Sequence, residues 1–309
     1  MRRWRWLLAG AVVLAAVLSW HIRVLPYAYH RAVMLLHPEQ RDGAIWLPDY
    51  RADLNGVPIE GLSRNVSGLT FNPDTGTLFT VINDPPKVAE ITTDGRLLRQ
   101  MPLVGARDPE GITHVEGDLF VIADEAEQKL TWVRIDPATT QVTTEGAPHL
   151  SLHIGAMHNL GFEGVSWDAR KDELLVVQEM LPLRVLIISG LKQVLDGGPL
   201  AIDIREWQAS NASTLFMRDL SSLTLHEPTG HILLLSHMSR MIVEYAPDGR
   251  PVSMMTLPGV PQAEGIALGA GGEIFVVSEP NLFYRYARET PAPWLSAMVS
   301  PPFEPQKSQ

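Results

Sequence analysis

Apolar and polar positions alternate along this chain in a short, recurring pattern. Five apolar runs, each opened by Gly or Asp and closed by a polar residue, align without a gap: Gly76-TLFTVI-Asn83, Gly117-DLFVIA-Asp124, Asp172-ELLVVQ-Glu179, Gly230-HILLLS-His237 and Gly272-EIFVVS-Glu279. β-Branched, leucine and phenylalanine cores bounded by turn residues predict strands buried on both faces. Ahead of each run stands a second recurring segment: Asn65-Val-Ser-Gly-Leu-Thr70, Asp108-Pro-Glu-Gly-Ile-Thr113, Gly161-Phe-Glu-Gly-Val-Ser166, Asp219-Leu-Ser-Ser-Leu-Thr224 and Gln262-Ala-Glu-Gly-Ile-Ala267. Their fourth positions are separated by 43, 53, 58 and 43 residues, near the period of roughly 40 to 50 residues found in propeller blades. A third strand follows, with turn signals at Asp94-Gly95, Asp136-Pro137 and Asp248-Gly249. Helical periodicity is absent from Ile45 to Tyr286, apart from a short turn around Leu191 to Leu195.

Five such repeats call for a closed ring, because an open stack leaves sheet faces uncovered at its ends. The pattern therefore predicts an all-β, five-bladed β-propeller over residues 44–290. The last repeat runs out after its third strand, Leu282 to Ala287, so Ala44 to Asp53 is predicted to supply the fourth.

The N-terminal pattern is different. Arg2, Arg3 and Arg5 precede an uncharged, mostly apolar run from Trp6 to Trp20, and Arg23 is the next charge. With His21 and Ile22 at the interface this approaches the roughly 17 to 25 residues that cross a bilayer. The arginines then stay inside and the bulk of the chain is exported. The competing reading, a cleaved signal peptide, lacks an A-x-A-like site after Leu18, where Ser-Trp-His follows. The expected organisation is a basic segment and transmembrane helix over 1–22, a juxtamembrane linker over 23–43, the propeller, and a Pro-rich tail over 291–309. This places a single-pass protein in the cell inner membrane, its C-terminal domain on the periplasmic, extracytoplasmic side.

Composition sharpens this division. Residues 1–40 hold five Arg and one Glu, so residues 41–309 carry −14 of the overall −10. An acidic exported domain gathers cations and is a poor partner for phosphate backbones, which argues against nucleic acid. There is no cysteine among the 309 residues, which excludes disulfides, thiolate metal sites and Cys nucleophiles.

The two registers predict two rings of side chains at one mouth of the channel. Position three of the opening segments supplies Ser67, Glu110, Glu163, Ser221 and Glu264, and the residue closing the apolar runs supplies Asn83, Asp124, Glu179, His237 and Glu279. Converging carboxylates repel, so either some are protonated or a cation neutralises them. Oxygen donors without cysteine, and with one histidine, favour a hard ion such as calcium over zinc. The candidate metal ligands are Glu110, Glu163 and Glu264, with Asp124, Glu179 and Asn83 beside them. Ser67, Ser221, His237 and Glu279 are expected to face a ligand. A plain turn preference for Glu-Gly would explain the first register but not the acidic residues of the second. Neither serine lies in G-x-S-x-G, which argues against a catalytic serine.

Three other groupings read as structural. His149, His153 and His158 lie among Pro148, Ser151 and Gly155 without an H-E-x-x-H pattern, and are expected in an inter-blade loop. Gly269-Ala-Gly-Gly272 lacks a following Lys-Ser/Thr, and Asn72-Pro-Asp-Thr-Gly76 lacks the length of a calcium helix-loop-helix, so both are expected to be turns.

In the segments Asn65 to Pro73, Thr77 to Asn83 and Asp108 to Thr113 the chain resembles the SdiA-regulated family of bacterial membrane-anchored propellers, distant relatives of the NHL-repeat propellers. The resemblance covers the N-terminal anchor and residues 60–290, and implies five blades and a bound calcium. Two functions are open: a module that binds or senses a small molecule or an exported protein, and a calcium-dependent hydrolase, lactonase or phosphoesterase-like, using the same acidic mouth.

Overall fold

The computed structural model describes residues 23–152, 161–179, 182–195, 197–198, 201–209 and 214–289, with isolated positions before residue 23. The five apolar runs become the second strands of five antiparallel sheets. Blade 1 is β2 (Val66–Asn72), β3 (Thr77–Asn83), β4 (Pro86–Ile91) and β5 (Leu97–Val104), with β9 (Val142–Thr143) added parallel to β5. Blade 2 is β6 (Pro109–Glu116), β7 (Leu119–Asp124), β8 (Lys129–Arg134) and β10 (His149–Ser151). Blade 3 is β11 (Phe162–Asp168), β12 (Glu173–Gln178), β13 (Arg184–Ser189) and β14 (Asp203–Glu206). Blade 4 is β15 (Ser222–His226), β16 (His231–Ser236), β17 (Met241–Tyr245) and β18 (Pro251–Thr256). Blade 5 is β19 (Gln262–Leu268), β20 (Ile274–Glu279), β21 (Leu282–Arg288) and, from the other end of the chain, β1 (Tyr50–Pro58).

The runs are apolar throughout because each second strand serves two cores. In β3, Phe79 and Val81 pack with Ile112, Phe120 and Ile122 of blade 2, whereas Leu78 and Ile82 pack with Phe275 and Val277 of blade 5. The same alternation sends Leu174 and Val176 of β12 towards blade 2, and Leu175 and Val177 towards blade 4. A strand with period-two side chains between two sheets has no polar face to offer. Five seam cores result, one for each pair of neighbours around the ring.

The opening segments line the channel, and their glycines mark where inner strands touch. A Cβ on Gly111 would stand 2.4 Å from the Glu163 carbonyl oxygen, and one on Gly68 would stand 2.6 Å from that of Glu110. Hairpin register slips at this point in four blades, between Ser67 and Leu69, Pro109 and Gly111, Phe162 and Val165, and Ala263 and Gly265. A bulge at a glycine bends the strand and re-aims the side chain before it. Position six ties the seams: the hydroxyls of Thr70, Thr113 and Ser166 accept the backbone N–H of His114, Trp167 and Leu225 on the next blade, at 3.1, 3.2 and 3.1 Å.

The ring closes through β1, which pairs with β21 from Tyr50↔Arg288 to Pro58↔Leu282. The closing strand thus starts later than the expected Ala44. Pro48 sits in a 3₁₀ turn, Leu47–Asp49, preceded by Trp46 in the left-handed region (φ 60). Proline cannot donate to a ladder, so pairing begins beyond it. Residues 44–47 instead dock on blade 4. Glu244, fully buried, accepts the N–H groups of Ile45 (2.7 Å) and Trp46 (2.9 Å), and the Ser253 hydroxyl bonds both Glu244 and the N–H of Leu47. Burial alone would raise the Glu244 carboxyl, but His231, Ser253 and the Ile45 N–H hold it below its ordinary value.

Within 23–43, expected to be a linker, helix α1 (Val24–Leu36) packs Tyr27, His30 and Met34 against the Phe216 region beside blade 4. The short turn at Leu191–Leu195 is helix α2. Among the described residues no helix is long and apolar enough to cross a membrane. The expected anchor over Trp6–Trp20 lies largely outside the described residues, as do His153, His158 and the tail. His149 lies on outer strand β10, its Nδ1 3.1 Å from the Ala147 carbonyl. Asn72–Gly76 and Gly269–Gly272 are hairpin turns, closed by Gly76 N–H to Asn72 O and Gly269 N–H to Glu273 O.

Candidate metal centre

At the mouth where inner strands begin, bulged openings and strand ends bring acidic side chains of blades 2, 3 and 4 together in a chain of three groups. Asp108, Glu110 and Glu125 meet within blade 2; Glu125, Glu163 and Glu179 meet across blades 2 and 3; Glu179, Asp219 and His237 meet across blades 3 and 4. Within each group the donor atoms lie within 4.8 Å of one another, and Glu125 and Glu179 are shared between groups.

Of the glutamates in these groups Glu163 is the most enclosed, at 8% exposed. Burial pushes its carboxyl well above the ordinary 4.5, and Glu110, Glu125, Glu179 and Glu264 push it further. Glu110 is pushed up to about 8, first by burial and then by Asp108 and Glu264, against the opposing contacts with Ser67 and Asn83. Glu264 is raised by burial to about 7. Glu125 and Glu179 are also raised, both chiefly by burial, Glu125 further by Asp108 and Glu179 by its neighbour Glu125. Among the described residues no Lys or Arg pairs with Glu110, Glu125, Glu163 or Glu179. The lysines and arginines with ion-pair partners are engaged elsewhere, as Arg107 is with Glu127 at 3.0 Å.

Asn83 donates from Nδ2 to Glu110 Oε1 at 2.7 Å, and its Oδ1 is buried without a hydrogen-bond partner. Gln178, which precedes Glu179, likewise holds a buried, unpartnered Oε1. The orphaned Asn83 oxygen beside these carboxylates completes an oxygen-only donor set, which suits a hard cation of the calcium type. Such a cation would supply the charge that the cluster lacks. Glu110, Glu125, Glu163 and Glu179, with Asn83, are the residues placed to hold it.

The expected ring members do not all face this point. Asp124 is buried, but its two oxygens accept the N–H groups of Arg107 (2.7 Å) and Glu127 (3.1 Å), so it shapes the loop while its neighbour Glu125 enters the cluster. Glu264 approaches His237, with Oε1 4.0 Å from Nδ1. Glu279 ends β20 beside it. Ser67 and Ser221 donate to the carbonyls of Glu110 (3.0 Å) and Ala263 (2.8 Å), which makes them seam ties between blades. Three cluster members escaped the ring reading: Asp108, Glu125 and Asp219. Asp108 and Asp219 stand at position one of their opening segments, where the shared acidic character was the available signal.

At the opposite end of the inner strands a cavity of about 560 Å³ is lined by Thr70, His114, Trp167, Thr224 and Leu268. One ring nitrogen of each lining histidine is engaged, His114 Nε2 with Gly117 O (2.9 Å) and His226 Nδ1 with the Thr229 hydroxyl (2.7 Å).

Among solved structures, a luciferin-regenerating enzyme is similar with a TM-score of 0.51 at 12% identity, covering 77% of this chain and 96% of that one. A calcium-binding protein, regucalcin, from Agrobacterium tumefaciens is similar with a TM-score of 0.51 at 13% identity, covering 78% of this chain and 94% of that one. At such identities the likeness is one of fold. The family model described as SdiA-regulated matches residues 42–287, the whole ring from the docked segment before β1 almost to the end of β21. The chain therefore belongs to the SdiA-regulated family.

Proposed function

We propose that this protein is a membrane-anchored, calcium-binding propeller, exposed on the extracytoplasmic side, that uses its acidic mouth to bind a small molecule or an exported protein. The observation that carries the reading is the convergence of Glu110, Glu125, Glu163 and Glu179 beside the buried, unpartnered Asn83 oxygen, with no ion pair to a lysine or arginine among the described residues. Uncompensated buried carboxylates are costly, and a bound cation reverses that cost. The calcium-binding regucalcin fold supports the choice of ion. Elemental analysis of the purified protein tests it: about one calcium per chain is expected, and a protein isolated free of divalent ions from calcium-containing buffer contradicts it.

The membrane placement rests on Arg2 to Arg5 and the uncharged run after them. A reporter fused after Gln309 should behave as exported, and glutamates in place of those arginines should scramble that orientation. Cytoplasmic reporter activity from the unaltered chain would overturn the placement.

Glu264, its carboxyl raised to about 7 beside the cluster, supports a second reading. A group titrating near neutrality at a metal site is suited to proton transfer, as a calcium-dependent lactonase or phosphoesterase requires. Calcium-dependent turnover of lactone or phosphoester substrates, abolished in Glu264→Gln, would favour the enzyme over the binding module.

A further inference from the structure

Helix α1 (Val24–Leu36) is apolar on two sides. Its inner side packs Tyr27, His30 and Met34 against the Phe216 region. Its outer side repeats at helical spacing: Leu25, Ala28, Tyr29, Ala32, Leu35 and Leu36 fall at i, i+3, i+4, i+7, i+10 and i+11. Among the described residues nothing covers that stripe. Leu25 is 44%, Tyr29 65%, Leu35 67% and Leu36 75% exposed. Fourteen large apolar side chains stand exposed among the described residues, and ten of them lie at or before Leu36. The other four are scattered singly over the propeller, which is ordinary for a surface facing water. A surface helix turns polar residues outward, so a second apolar stripe calls for a covering.

Size, connectivity and charge choose the covering. The 13 residues of α1 make a helix about 20 Å long, too short for the roughly 30 Å hydrocarbon core. It cannot cross a bilayer and can only lie along one. The stripe, about 20 Å by 10 Å, offers about 200 Å², a quarter of the roughly 800 Å² that each partner buries in a stable protein interface. A second copy is therefore a poor match. His21, Ile22 and Arg23 alone separate Trp20, the end of the uncharged run, from Val24, a reach of no more than about 14 Å. A bilayer that holds the run thus has α1 beside it. From His21 to Pro38 the charged residues are Arg23 and Arg31, with no Asp or Glu, whereas residues 41–309 carry −14. Anionic headgroups attract this stretch and repel the rest.

We propose that α1 lies in the surface of the bilayer, its outer stripe of Leu25, Tyr29, Leu35 and Leu36 buried about 5 to 10 Å into the headgroup–acyl boundary, and that it fixes how the propeller stands on the membrane. Tyr29 suits that depth, with an apolar ring and a hydroxyl that reaches the headgroups. Because α1 packs on β18, the outermost strand of blade 4, the ring meets the lipid at that rim and neither channel mouth is pressed against it. The inference deepens the membrane placement proposed above and rests on it for bringing α1 to a bilayer.

The chain has no cysteine, so one introduced cysteine carries one label. Full-length proteins with Val13→Cys, Leu25→Cys, Leu36→Cys or Leu98→Cys are labelled with an environment-sensitive fluorophore. They are reconstituted into phosphatidylcholine–phosphatidylglycerol vesicles carrying a nitroxide quencher either shallow or deep in the acyl chain. All four side chains are exposed, so the label displaces no core packing. The expected result is shallow quenching at Leu25 and Leu36 at least about twofold stronger than at Leu98 on β5 of blade 1. Quenching at Leu98 equal to that at Leu36 would overturn the inference, since the lipid would then not be choosing α1. A blue shift at Leu36 without lipid quenching would overturn it too, because a second copy would then be the covering. Val13 reports the anchor separately. Deep quenching there, with Leu25 and Leu36 in water, would remove the interfacial helix and keep the anchor. Shallow quenching at Leu25 and Leu36 without deep quenching at Val13 would remove the anchor and keep the helix at the interface.

Discussion

Asn83 and Glu110 meet across the seam between blades 1 and 2: the amide nitrogen donates to the carboxylate at 2.7 Å, and the amide oxygen is left buried and unpartnered. The amide thus does two things, holding one acidic side chain in place and presenting a neutral oxygen beside it. Replacing Asn83 by Asp removes the donor and adds a charge. The metal-free protein should melt at lower temperature than the unaltered one, and calcium should raise its melting temperature by a larger amount. Thermal melts with and without calcium check both signs; an Asp variant that is more stable without the ion would contradict them.

The acidic mouth also sets a pH dependence. Glu110 and Glu264 are raised from 4.5 to about 8 and about 7, and Glu163 is raised well above its ordinary value, all led by burial. The folded state therefore binds more protons than the unfolded chain, and stability falls with pH wherever that holds. Without calcium, stability should decline as pH rises from about 4.5 to about 8. With calcium bound to the ionised carboxylates the decline should flatten, so the calcium benefit grows across the same window. Urea titrations through this range should show the divergence; parallel pH profiles with and without calcium would contradict it.

The inner-strand glycines are a test of the ring's geometry. An alanine at Gly111 would place its Cβ 2.4 Å from the backbone oxygen of Glu163, which cannot swing away as a side chain does. Overpacking of this kind costs about 1 to 3 kcal/mol or more. Gly117→Ala is the control: it meets nothing within 4 Å, but sits at φ +54, where the cost is about 1 kcal/mol. Denaturation should rank Gly111→Ala as the more damaging, and it should also weaken calcium binding by displacing Glu110 and Glu163. The reverse ranking would contradict the close approach of β6 and β11.

Closure depends on β1 and on the docked segment before it. A chain beginning at Gly43 keeps the Glu244 contacts of Ile45 and Trp46 and the whole of β1. It should fold cooperatively, less stable by the packing of α1. A chain beginning at Gly61 lacks both, exposes the edge of β21 and should be insoluble or unfolded. Circular dichroism and melting of the two distinguish these outcomes, and equal stability would contradict closure through the N-terminal side.

The blades were legible because the chain states them twice, in runs such as Thr77 to Ile82 that can only be strands shared by two cores, and in openings such as Pro109-Glu-Gly111. The closing strand was legible in existence but not in register, since Trp46 and Pro48 delay pairing through backbone conformation that hydropathy does not record. Helix α1 was not legible: its sequence contains Pro26 and no side-chain cap, and packing against Phe216 supports it. Of the mouth, Glu110, Glu163 and Glu179 could be placed from strand registers. Asp124 and Glu125 could not be told apart, because the turn after β7 decides which of two adjacent carboxylates points inward. Asp219 was hidden for a similar reason, since position one lies before its strand and its direction is set by the chain arriving from blade 3.

The central claim is that Glu163 stands in a cation site and is not merely a structural carboxyl. The most direct measurement is the melting temperature of the unaltered protein and of Glu163→Gln, each with chelator and with excess calcium. Calcium at a hundredfold excess over its dissociation constant stabilises the folded state by about 2.7 kcal/mol, so the unaltered protein should melt several degrees higher with the ion. Glu163→Gln keeps the size and loses the charge. It should raise the melting temperature of the chelated protein, by relieving repulsion from Glu110, Glu125 and Glu179, and should shrink the calcium shift. A Glu163→Gln protein that melts lower than the unaltered one by the same amount with and without calcium would contradict the account.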